Sequence, residues 1–459
     1  MNTIIADKLR TEQTVSTRID LFFKQIGLSK LLKKSNFYKE SGIPCTEILK
    51  TLFTLVFADK NLYRMLDTNP EQIGFKKNTA YRFLNSMRYN WSRLLALTAA
   101  NVINAVNSAT SENRASVLII DDSFYDRNRS KKVELLAKVF DHSMHKYVKG
   151  FKMLTLGWSD GNTFIPVSFS LLSSAKESNV LCPANKSLDK RTIAYRRRKA
   201  AVSKATSTLF ELLDAAKHLP AKYVLFDSWF AFPKTIYNIC RRNYSVICMV
   251  KNSPKIHYGY QGQWMNLEKL HAIVKRSQVK KGRILGSIQV CLRESKDNPQ
   301  TINARIIFVE DRSSKSFLAV LSTDTMISDE EILRIYGKRW DIEVFFKMCK
   351  SYLALSKEFQ GRSYDMMTAH TTIVFLRYIM LAMEARNSSD HRTVGGLFYL
   401  VCDELQDIRF SQALSILLQI LRKTLDCSPV ISEKMVEELI ASFFSSLPSH
   451  WRSKLQLCA

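Results

Sequence analysis

Hydrophobic and polar positions change their rhythm twice along the 459 residues. Up to about residue 110, apolar residues recur every three or four positions, as in TEILKTLFTLVFADKNLYRML and WSRLLALTAANVINAV, which predicts amphipathic helices. Between these runs, Asn78 or Thr79 can cap a helix that carries Arg82 and Arg88, with Lys76 and Lys77 just before it. That segment fits either the DNA-contacting helix of a helix-turn-helix-like unit or a solvated amphipathic helix. From about 115 the period switches. ASVLII is a continuous apolar run, as a buried strand requires, and it ends at two aspartates. FKMLTLGWSDGNTFIPVSFSLL reads as a hairpin turning at SDGN. The basic segment DKRTIAYRRRKA leads into a helix over AVSKATSTLFELLDAAKHL, and the buried strands KYVLF, ending at Asp227, and YSVICMV follow. Residues about 255–325 again look like strands, and Ser328 with Glu331 predicts a capping box for the next helix. Past about 360 the pattern is helical throughout.

The predicted fold class is therefore α/β. A mixed core over residues 113–360 includes the strand-like stretch at about 255–325. A helical region, 1–112, precedes it as a DNA-binding candidate, and another, 361–459, follows it as a candidate dimer interface.

Composition adds a partner. Lys and Arg number 68 against 42 Asp and Glu, a net charge of +26, which points to a polyanion and first of all to nucleic acid. Nine scattered cysteines without a CxxC pair argue against a zinc knuckle or disulfide scaffold and for reduced thiols in a cytoplasm. The N-terminal residues lack the pattern of a signal peptide. The most apolar stretches are too short for a membrane span or are broken by Arg377, so no membrane association is expected.

The stretch RIYGKRWDIEVFFKMCK, residues 334–350, carries the candidate chemistry. On a helix at 100° per residue, Tyr336, Arg339, Glu343 and Lys350 fall within an arc of about 60°, bordered by Trp340 and Lys347. Ile335, Ile342, Phe346 and Cys349 form a separate apolar stripe. By itself the row fits a surface ion-pair ladder. Two strand-end acids, Asp121 or Asp122 and Asp227, change that, because carboxylates at strand ends in an α/β core commonly converge on a cleft. Three such groups repel one another and need cations, and hard oxygen donors suit Mg²⁺ or Mn²⁺. A pair of these ions can activate a nucleophile and stabilise the leaving oxygen in phosphodiester cleavage.

The row Tyr336-x2-Arg339-x3-Glu343-x6-Lys350 resembles the signature of DDE transposases of the insertion-sequence 4 group. LIIDDSFYD and KYVLFDSWF are similar to that family's two aspartate strands, and the likeness covers about residues 115–380. The resemblance implies a ribonuclease H-like catalytic core, often with a β-rich insertion between the second aspartate and the glutamate. It implies cut-and-paste transposition, with metal-dependent cleavage at terminal inverted repeats followed by strand transfer into target DNA. It also implies two Mg²⁺ or Mn²⁺ ions, double-stranded transposon-end and target DNA as partners, and a dimer assembled on DNA. Asp227 and Glu343 would be the second and third triad members. For the first, strand alternation lets only one of Asp121 and Asp122 face the cleft. The family pattern of Asp before a small hydroxyl residue favours Asp122, which precedes Ser123. Tyr336, Arg339 and Lys350 would hold phosphates near the cut, with Lys347 beside them. Trp340 would stack on an unpaired base or pack.

Arg196, Arg197 and Arg198 in AYRRRKA are further candidate DNA-binding residues on charge alone. His142 and His145 have metal-compatible spacing but no cysteine completes a zinc set, and His370 reads as structural. The competing functions are a non-catalytic DNA-binding protein derived from a transposase and a ribonuclease H-like nuclease without strand transfer.

Overall fold

The computed structural model describes residues 17–446, apart from 69–73, 109–113, 142–144, 312–315, 359–360, 387–392, 427–431 and the single positions 175, 186, 296, 298 and 299. The N-terminal helices are α1 (Arg18–Gln25), α2 (Leu28–Lys34), α3 (Cys45–Thr54), α4 (Leu62–Thr68), α5 (Lys77–Leu84) and α6 (Trp91–Ser108). The strands β1 (Val117–Asp126), β2 (Ala137–Asp141), β3 (Lys146–Ser159) and β4 (Phe164–Leu172) follow. Then come α7 (Ile193–Ala201), α8 (Ala205–Ala215), β5 (Tyr223–Phe226), α9 (Pro233–Cys240) and β6 (Ser245–Met249). The expected insertion holds β7 (Tyr258–Tyr260), β8 (Gln263–Met265), α10 (Leu267–Ser277), β9 (Ile284–Arg293), β10 (Thr301–Glu310) and β11 (Phe317–Ser322). Five helices close the described chain: α11 (Asp329–Gly337), α12 (Trp340–Ser351), α13 (Tyr364–Arg386), α14 (Val394–Asp426) and α15 (Glu433–Ser446).

The eleven strands among the described residues join one mixed sheet, in the order β2-β3-β1-β5-β6-β11-β10-β9-β7-β8, with β4 also paired to β3. The three strands β1, β5 and β6 run parallel, and β3 and β4 are antiparallel additions on the β1 side. The insertion does not form a sheet of its own: β11 pairs with β6 and extends the central sheet. It also contains one helix where the pattern predicted strands. Asn266 caps α10, its side chain accepting from the Lys269 amide, and Leu267, Leu270 and Val274 supply the buried helical stripe.

Val117 to Ile120 are fully buried, so both faces of this central strand are covered. The strand then continues through the aspartates instead of stopping before them. Its partner β3 is long enough to pair every residue from Val117 to Asp126. Only the burial changes there, falling to intermediate from Asp121 to Phe124.

One apolar cluster runs from Ile19 to Val401, so the N-terminal helices share a core with the sheet; α6 lies on β4 and against α13. Among the described residues only α13 is long and apolar enough to cross a membrane, and 94% of its apolar window is buried inside the protein. Arg377 within it is fully buried and donates to the carbonyls of Leu52 and Phe53 and to both oxygens of Glu358. His370 lies 3.5 Å from the same carboxylate, and burial holds its pKa well below the ordinary value. The described cysteines are all free thiols.

Candidate active site

The parallel pairing of β1 with β5 sets Ile119 opposite Leu225. Two residues further along each strand stand Asp121 and Asp227, and in a parallel ladder that register directs both to the same face. Ser123 shares that face by alternation, whereas Asp122 points to the other one.

The third acid arrives on α12. The 334–350 stretch is not one straight helix: α11 ends at Gly337, Lys338 and Arg339 form a turn, and α12 begins at Trp340. Lys338 fixes the turn by donating to the carbonyls of Ala115 and Asp160, at the ends of β1 and β3. At the start of α11, Ser328 accepts from the Glu331 amide at 3.2 Å, but the Glu331 carboxylate pairs with Arg334, so only half of the expected capping box forms. The apolar stripe holds. Ile335, Ile342, Phe346 and Cys349 are buried, joined by Phe345.

Arg339 lies between the acids. One amino group sits 3.3 Å from Asp121 Oδ2 and the other donates to Glu343. Lys350, two turns further on, donates to Ser123 Oγ at 2.7 Å. Asp122 instead pairs with Lys152 of β3 at 3.4 Å. The Lys152 ammonium also stands 4.8 Å from the centre of the Trp229 ring. Trp229 is 45% exposed, and its amide donates to Asp227 Oδ1 at 2.9 Å.

These neighbours shift the acids. Burial pushes Asp121 up to about 7, repulsion from Asp227 adds to it, and Arg339 pulls the other way. Burial also raises Asp227; the Trp229 amide and Arg339 counter this, while Asp122 and Glu343 add repulsion. Lys350 is lowered by burial, and burial holds the Tyr336 phenol well above its ordinary range. Carboxylates raised by burial and by mutual repulsion are groups that a cation would relieve, so the donor set suits a hard divalent ion. As it stands, the positive charge among them is the Arg339 guanidinium, and no three Asp, Glu, His or Cys side chains among the described residues close on a common point.

Other expected residues are placed as follows. Tyr336 is half-buried, while Trp340 and Lys347 are exposed beside the site. Arg196 is exposed on α7. Arg197 and Arg198 do not lie on the surface. Arg197 pairs with Asp365 and donates to the Tyr89 carbonyl, and Arg198 bridges Glu134 and Asp365 at 2.6 and 2.8 Å, with both arginine side chains at least nine-tenths buried. Two buried carboxylates far away in sequence draw them inward, which a run of three arginines cannot reveal. His142 lies outside the described residues, and His145 belongs to no metal-ligating cluster among them. Lys152 and Trp229 went unpredicted. Only strand pairing brings Lys152 across from the acids, and the single hint for Trp229 is a large aromatic two positions after Asp227.

A family model described as DDE superfamily endonuclease matches residues 53–263. The match takes in Asp121, Asp122 and Asp227 and ends before Glu343. It supports a DDE-type endonuclease or transposase acting on DNA. No curated protein matches the chain.

Proposed function

We propose that this chain is a cut-and-paste DNA transposase whose acid triad is Asp121, Asp227 and Glu343. The observation that carries the reading is the in-register pair Asp121 and Asp227 facing an α12 glutamate through Arg339. The order β4-β3-β1-β5-β6, with the last three parallel, supports a ribonuclease H-like core. The first triad position thus moves from the Asp122 favoured by the sequence to Asp121, because Asp122 turns to the opposite face and pairs with Lys152. The small hydroxyl residue two positions on, Ser123, shares the Asp121 face and holds Lys350.

Asp121, Asp227 and Glu343 would be the residues that hold two divalent ions, Mg²⁺ or Mn²⁺. Such ions, when bound, activate the attacking oxygen and stabilise the leaving one. Arg339 holds Asp121 and Glu343 together and would be the cation that a divalent ion displaces from between them. Lys350, held by Ser123, is aimed at the phosphate beside the cut, with Lys347 and Trp340 exposed along the same helix. Terminal inverted repeats, a target duplex and a dimer on DNA, with the C-terminal helices as interface, belong to the same proposal, as does a cytoplasmic location. Incubating the protein with Mg²⁺ and DNA carrying the ends of its own element tests it. Excision and joining support a transposase, binding alone a non-catalytic derivative, and unspecific cutting a plain nuclease.

A further inference from the structure

A cavity of about 1290 Å³ opens beside the acids, between residues 127–133 after β1 and residues 355–357, 361 and 362 after α12. Seven of its fifteen lining residues are Lys or Arg and only one, Asp126, is acidic. It meets the acid site at Lys350, which lines the cavity and also bonds Ser123, two residues from Asp121.

The walls are braced. At one end Arg127 donates to the Ser356 carbonyl at 2.6 Å, joining the two segments directly. At the other, the buried Arg198 joins Glu134, just past the first wall, to Asp365, just past the second. The Glu134 amide also donates to the Arg362 carbonyl at 2.8 Å. Arg198 therefore ties the two sides of the groove together, while Arg197 pairs with Asp365 alone. Their charges are neutralised inside the protein.

The charges left facing the groove are different ones. Arg129, Lys131 and Lys132 on one wall and Lys357 and Arg362 on the other are exposed, and none has an ion pair among the described residues. Phe124 adds a half-buried aromatic ring to the lining. The cavity exceeds the usual small-molecule pocket of roughly 300–1,000 Å³. Unpaired cations on two opposed walls, with an aromatic between them, suit an extended polyanion bearing stacked rings.

We propose that this groove is a DNA-binding track that carries the strand leaving the acid site on the Lys350 side, its phosphates held by Arg129, Lys131, Lys132, Lys357 and Arg362. The assignment rests on the acids being a DNA-cutting site, but it is tested without chemistry. Binding of a fluorescently labelled random-sequence duplex is measured in EDTA at several salt concentrations. The R129E/K131E/K132E and K357E/R362E variants should weaken binding and flatten the log K against log salt slope by roughly 0.9 for each phosphate no longer neutralised. The charge-preserving R129K/K131R/K132R variant should bind as the parent does. Unchanged slopes in both reversal variants would overturn the proposal and leave the groove to another partner, such as an acidic peptide. Equal weakening by the charge-preserving variant would overturn it too, since charge would not be what matters. Because no cleavage enters the measurement, loss of the nuclease reading and loss of the groove are separate results.

Discussion

Arg339 stands 3.3 Å from Asp121 Oδ2 and ties that carboxylate, not its neighbour Asp122, to the helix bearing Glu343. The two adjacent aspartates therefore differ in what they can do. Asp121→Asn should lower metal-dependent DNA cleavage by roughly 10⁴–10⁶-fold, as for one member of a catalytic unit. Asp122→Asn loses a bond to Lys152 and should stay within about tenfold, the equivalent of about 1.4 kcal/mol. Parallel single-turnover assays on the two variants decide it, and the reverse ranking restores Asp122 as the first acid.

Arg198 is predicted to matter for folding rather than for holding DNA. Arg198→Ala leaves the Glu134 carboxylate without its arginine and Asp365 with Arg197 alone, at a cost of about 3–5 kcal/mol. Arg196→Ala, on the exposed side of the same helix, should cost less than about 0.5 kcal/mol. Urea unfolding of the two variants measures the contrast, and equal midpoints would show that the buried network contributes nothing.

The α12 helix offers a test of its two faces. Ile342 is fully buried, so Ile342→Asp places an unpaired charge in the core and should prevent folding. Arg339→Ala should leave the fold intact and impair end binding or cleavage. Circular dichroism separates them; a folded Ile342→Asp protein would mean that the buried side has been misassigned.

Much of this was legible in the sequence because the signals are local. The continuous run VLII marked a central strand, the 3.6-residue period marked the helices, and Asp227 stands just past β5 as expected. The two faces of α12 followed from spacing alone. What was not legible depends on pairing across the sheet. Choosing between Asp121 and Asp122 requires the β1–β5 register, which no single strand contains. Arg197 and Arg198 look like surface charge until Glu134 and Asp365 arrive from far along the chain. The turn at Lys338 and Arg339 is held by the ends of β1 and β3, so helical periodicity could not locate it.

Acidity gives a further prediction. Asp121 titrates at about 7 in the folded chain against an ordinary 3.8. Between those values the folded chain holds a proton that the unfolded chain has released. This contribution to stability is therefore complete below about 3.8, declines as pH rises, and is gone above about 7. Asp121→Asn should remove that decline. Unfolding curves at pH 5 and pH 8 should show the parent losing stability relative to the variant, and parallel profiles would contradict the burial assigned to Asp121.

Glu343 completes the proposed acid set, and Glu343→Gln probes it. The substitution keeps the shape and removes the charge that completes the metal-holding set. Mg²⁺-dependent cleavage and binding are measured on the same variant with DNA carrying the ends of its own element. Cleavage should fall by several orders of magnitude while binding survives or tightens, because one negative charge facing phosphate is gone. An Arg339–Glu343 surface ion pair alone would cost at most about 0.5 kcal/mol of stability and leave the chemistry unchanged. Near-normal cleavage by Glu343→Gln would contradict the account.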